Sequence, residues 1–80
     1  MGKLTNFGKV WVGVQTRDHN PAHFHLKGAG VRAMIAIDPV TILRGKVPSD
    51  LWPQVQAWAI ANRAALVAEW NKCNPLYPTV

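Results

Sequence analysis

Eighty residues that are 49% hydrophobic and 16% charged exclude a disordered chain and leave no room for a second core. Nine Lys+Arg against four Asp+Glu give a formal charge of +5 and a sequence pI near 10.0, a field that favours polyanions or acidic proteins over neutral partners. The single cysteine, Cys73, rules out an internal disulfide, and no basic start leads into a long apolar run, so no signal peptide, no spanning helix and a cytoplasmic location are expected.

A domain of this size buries only about 60–65% of its unfolded surface, so a metal, a disulfide or a partner subunit is a common supplement. A homo-oligomer, most simply a dimer, is therefore expected. The basic residues are unevenly placed: Lys3, Lys9, Arg17, Lys27, Arg32, Arg44 and Lys46 precede the midpoint or lie close to it, with only Arg63 and Lys72 beyond. Any basic surface belongs to the N-terminal elements.

In chain order, "KVWVGVQTR" alternates Val10, Val12, Val14 and Thr16 against Lys9, Trp11, Gly13, Gln15 and Arg17, the period of a half-buried strand. "AHFHLKG" sets Phe24 and Leu26 against His23, His25 and Lys27. Gly28 and Gly30 flank a turn, and "VRAMIAI" then turns Val31, Ala33, Ile35 and Ile37 inward with Arg32 and Met34 outward. "DPVT" is turn chemistry, because proline presets one turn dihedral and aspartate bonds nearby backbone. A short strand, "TILRG", follows.

From Ser49 the period becomes helical, with Leu51, Val55, Ala59, Leu66 and Trp70 in one stripe. Pro53 fits only a first turn, which makes Asp50 the expected cap. Asn62 and Arg63 interrupt the stripe, and Arg63 is placed to reach back to Asp18 or Asp38. A second apolar row, Ile60 and Val67 among Ala57, Ala61, Ala64 and Ala68, suits a second subunit, although alanine is also simply the best helix former. Trp52, Trp58 and Trp70 sit at helical spacings as core or interface anchors. Asn74-Pro75 ends the helix. The expectation is a single α+β domain over residues 1–80: a small antiparallel sheet of three to four strands (about 8–46), one long helix (about 50–73) packed on one face, and an extended tail (74–80).

"RDHNPAHFH", residues 17–25, carries three histidines in nine positions. As structure, Asp18, Asn20 and Pro21 make a good connector before a strand, and histidines near a sheet find hydrogen-bond partners; this is the default. As a metal site, His23 and His25 share a strand face, His19 lies across the turn and Asp18 adds an oxygen, a set suited to zinc or another divalent ion. That spacing is not a Cys/His signature, so no cofactor is assigned. As catalysis, His19, His23 or His25 acts as general acid or base on a phosphodiester, with neighbouring cations stabilising charge. As passive RNA or DNA binding, Trp11 stacks a base while Lys9, Arg17, Lys27 and Arg32 meet phosphates. The sequence leaves all four open.

"DHNPAHFH", the following "AMIAID", a G-x-x-P before the helix and "EW" near its end resemble a bacterial family, the domain of unknown function 4160, from about Phe7 to Trp70. Carried over residue by residue, its motif falls on Asp18, His19, Asn20, Pro21, His23, Phe24 and His25, with Ala22 where a second proline is expected. The resemblance implies a small protein of unassigned activity whose gene often neighbours a second small one, in a layout similar to toxin-antitoxin pairs. The leading expectation is a binding or interaction module with a small partner protein, RNA or DNA as ligand and no membrane contact. A histidine-dependent nuclease or hydrolase, and a divalent-metal protein, are the alternatives.

Overall fold

The computed structural model describes residues 2–15 and 21–76. Strands β1 (Gly2–Phe7), β2 (Val10–Val14), β3 (His23–Gly28), β4 (Val31–Ile37) and β5 (Val40–Lys46) precede helices α1 (Trp52–Ala61) and α2 (Arg63–Cys73). Every strand pairs antiparallel with its neighbour in sequence, so the sheet order is β1-β2-β3-β4-β5. The α+β class holds, but the expected three to four strands and single long helix are overturned: the described residues form five strands and two short helices.

Both departures have local causes. In β1 the register shifts between Lys3 and Thr5, leaving Leu4 as an extra residue against β2. Such a bulge breaks the period-two alternation by which a strand is recognised in sequence. Asn62 divides the helix. Its backbone N–H and its side-chain Nδ2 both donate to the Trp58 carbonyl, at 2.9 and 2.8 Å, and its φ of −114° lies off the helical value. The Asn62 carbonyl then accepts from Leu66 N at 3.0 Å and starts α2. Asparagine offers the backbone this alternative because its short amide reaches nearby main-chain groups. The buried stripe nonetheless continues across the break as Val55, Ala59, Leu66 and Trp70.

The helix entry also differs from expectation. Asp50 makes no cap; Leu51 holds that position with helical dihedrals and no side-chain cap bond. A turn on Pro48 replaces it, with Leu51 N and Trp52 N both donating to the Pro48 carbonyl at 3.0 Å. At the far end, Asn74 is 2% exposed. It donates its backbone N–H to Trp70 O (2.7 Å) and its Nδ2 to Gln15 O (2.9 Å), pinning the end of α2 beside the end of β2. Of the expected tail, Pro75 and Leu76 form a turn, and 77–80 lie outside the described residues.

Both helices lie on one face of the sheet, where Val10, Val12, Val14, Phe24, Leu26, Ala33, Ile35 and Ile37 meet the helix stripe. Trp58 receives the rings of Phe7 and Phe24 edge-on, at 6.2 and 6.0 Å between centroids. Trp70 is fully buried. Truncating a buried tryptophan costs about 3–5 kcal/mol, whereas an exposed ion pair contributes about 0–1 kcal/mol. The Arg63–Asp38 pair (3.0 Å, side chains 43% and 63% exposed) therefore aligns α2 with the β4–β5 turn but does not hold the layers together. The β1–β2 and β3–β4 turns abut: a Cβ on Gly28 would overlap the Lys9 carbonyl, and the Gly28 φ of 127° is left-handed. No helix among the described residues is long and apolar enough to cross a membrane.

Candidate nucleic-acid interface

The sheet face away from the helices is built by cross-strand register. Asn6 lies opposite Trp11, Trp11 opposite Lys27, Lys27 opposite Arg32, and Arg32 opposite Lys46. Directly opposed residues of an antiparallel pair share a face, so these five form one row across all five strands. Neighbouring strands stand about 5 Å apart, which spaces the Lys27, Arg32 and Lys46 positions about 10 Å from end to end. The Lys27 ammonium lies 5.9 Å from the centroid of the Trp11 ring, a cation–π contact. A second row runs Gly13, His25, Met34, Arg44. Gly13 brings no side chain, and a hollow of about 440 Å³ opens between the rows, lined by Gln15, His25, Lys27, Arg32, Met34 and Arg44.

Arg44 and Lys46 owe their place on this face to a second bulge. Ile42 lies opposite Ile35 on the core side; plain alternation would send Arg44 and Lys46 inward with it. The register shifts between Met34 and Ile35, so that Arg44 lies opposite Met34 and Lys46 opposite Arg32, on the open side. Gly45 takes the close approach: its φ is 80°, and a Cβ there would overlap the Arg32 carbonyl. Neither cation was singled out from sequence, because the parity of the strand reverses within it. A glycine inside an otherwise alternating strand was the available signal.

The described carboxylates all lie elsewhere. Asp38 is in the β4–β5 turn with Arg63, Asp50 precedes α1, and Glu69 is on α2. The open face is thus cationic with no described acid on it, and low-dielectric protein behind it focuses the field outward.

Of the residues expected at a nucleic-acid surface, Trp11, Lys27 and Arg32 fall in one row. Lys9 is exposed in the β1–β2 turn, and Arg17 lies outside the described residues. Of the catalytic and metal candidates, Asp18 and His19 also lie outside them. His23 and His25 part company despite sharing strand parity. His25 is half-buried at the hollow. His23 is 2% exposed: its Nδ1–H donates to the Pro21 carbonyl at 2.7 Å, and its ring packs 5.1 Å from Trp70 and 4.9 Å from His25. The described part of the histidine segment is therefore largely scaffold, with Phe24 in the core and the Ala22 carbonyl accepting from Ile37 N at 3.1 Å. Among the described residues no group of three or more His, Cys, Asp or Glu side chains gathers as a metal would require.

A small antiparallel sheet with helices on one side and an open, basic, partly aromatic face on the other defines the class of this protein. The family follows from comparison: the profile described as a domain of unknown function (DUF4160) matches residues 14–71, and the chain belongs to that family. Searches of curated proteins and of solved structures find no match.

The two histidines should respond differently to truncation. His23→Ala removes a buried ring from against Trp70 and should lower unfolding stability by about 2–3 kcal/mol, whereas His25→Ala should cost less than about 1 kcal/mol. Urea denaturation midpoints measure both, and equal losses would contradict the separate roles given to them.

Proposed function

We propose that the protein is a nucleic-acid-binding module that holds single-stranded RNA or DNA across its open sheet face. The observation that carries this reading is the row Trp11, Lys27, Arg32, Lys46, which offers one aromatic ring and three cations in line. Single-stranded ligands are favoured over duplexes for a geometric reason. A flat sheet face exposes no helix or ribbon to enter a groove, but it does present what splayed strands use: a ring on which a base can stack and cations that follow phosphates. Lys27, now over Trp11, is positioned to hand its ammonium to a phosphate as a base takes its place on the indole.

A toxin-antitoxin-like setting, in which such a module works beside a small partner protein, fits this reading and is part of the proposal. Hydrolysis is the weaker alternative, since His23 is enclosed and bonded to Pro21. A homodimer is proposed through the helix layer. Both edge strands are bulged, a feature that discourages edge pairing, and the basic face repels a second copy. On the helices Ile60, 65% exposed on α1, offers an apolar contact.

Two measurements test these statements. Fluorescence anisotropy with a labelled oligouridine should show binding that weakens with salt, with a log–log slope of about −2 for the three cations of the row. Arg32→Gln or Lys46→Gln should flatten that slope by about 0.7. Trp11→Ala should cost about 1–3 kcal/mol at unchanged slope. Absent or salt-insensitive binding would refute the reading. Sedimentation equilibrium should give a dimer that Ile60→Glu converts to monomer; a monomeric parent protein would remove the dimer from the proposal.

A further inference from the structure

The hollow beside the cationic row has a chemistry of its own. Its polar walls are Gln15, His25, Lys27, Arg32 and Arg44, with Met34, Leu26 and Ala33 among its apolar lining. Arg32 and Arg44 stand one diagonal step apart on adjacent strands, because Arg32 faces Lys46 and Arg44 faces Met34. Diagonal neighbours are about 7–8 Å apart at the backbone, a span that two guanidinium side chains can close onto one point. Among the described residues neither arginine has a hydrogen-bond or ion-pair partner. Their planar forks are matched to phosphate oxygens and are free to bond in pairs.

We propose that this hollow is a phosphomonoester site, which takes the terminal phosphate of a nucleic-acid strand or the phosphate of a free mononucleotide. This rests on the reading of the open face as a phosphate-binding surface and adds to it a preference for chain ends. The argument is one of charge and shape. An internal phosphodiester carries one charge, two unbridged oxygens and a chain leaving on either side, so it suits the exposed row. A terminal monoester carries about 1.5–2 charges and three strong acceptor oxygens, and only one side of it is tethered. A concavity lined by Arg32 and Arg44, with Lys27 and the His25 ring also at its wall, offers donors for those additional oxygens. The bulge that brings Arg44 out of the core-facing register is what completes the set.

The experiment compares three forms of one short oligouridine, bearing a 5′-phosphate, a 3′-phosphate or neither, by anisotropy at fixed salt, with uridine monophosphate as competitor. One phosphorylated form should bind about tenfold more tightly than the unmodified strand. Arg44→Gln should abolish that advantage, while Lys46→Gln should weaken all three forms alike. Competition by uridine monophosphate at concentrations comparable to the phosphorylated strand identifies a free nucleotide as the ligand. Competition only in large excess identifies the strand end. Equal affinity for all three forms overturns the inference; if they still bind with a salt slope, the phosphate-binding row stands without it, and if none binds, both fall.

Discussion

Val10, Val12, Val14, Phe24, Leu26, Ala33, Ile35 and Ile37 all point to the same side of the sheet, and the two helices are just enough to cover that side. A sheet has two faces, and a chain of this length has one helix layer to spend. The consequence is structural and functional together. Apolar residues are drawn to the covered face, so the polar half of each alternating strand is collected on the other. Among the described side chains that half presents the Trp11 indole, the His25 imidazole and the cations Lys27, Arg32, Arg44 and Lys46, with no described carboxylate among them. Such a face cannot pack against a hydrophobic layer without stranding charge, and it is suited to meet an anion.

The bulges refine this division. At Leu4 the extra residue interrupts the pairing of β1 with β2, and β1 is an edge strand, where an irregularity also deters pairing with another chain. The bulge in β5 does more, because it reverses the parity of the strand after Ile42. Without it Arg44 and Lys46 would lie on the helix side of the sheet, away from the other cations. With it they join Arg32 and Lys27 and extend the cationic row to the edge of the sheet.

Much of this was legible in the sequence. The inward faces of β2, β3 and β4, the helix stripe through Val55, Ala59, Leu66 and Trp70 and the end of the last helix at Asn74 are all periodicity or turn chemistry, which is local information; the sequence offered Asp18 or Asp38 as the partner of Arg63, and the structure pairs it with Asp38. The same information placed Trp11, Lys27 and Arg32 on one face. The features that escaped are those where a single residue interrupts a period. Leu4 hid β1, Asn62 divided the helix by bonding twice to the Trp58 carbonyl, and Leu43 with Gly45 concealed the outward turn of Arg44 and Lys46. The histidines escaped for another reason. His23 and His25 have identical strand parity, and only tertiary packing, with Trp70 arriving from forty-odd residues away, sends one ring into the interior and leaves the other at the hollow.

The most direct test of the central claim is where ligand touches the sheet. Backbone amide and indole N–H shifts followed by NMR during titration with oligouridine should move at Trp11, Lys27, Arg32 and Lys46 and stay still along α1 and α2. Shifts concentrated on the helices, with the open face unaffected, would contradict the account and move the binding surface to the other side of the molecule.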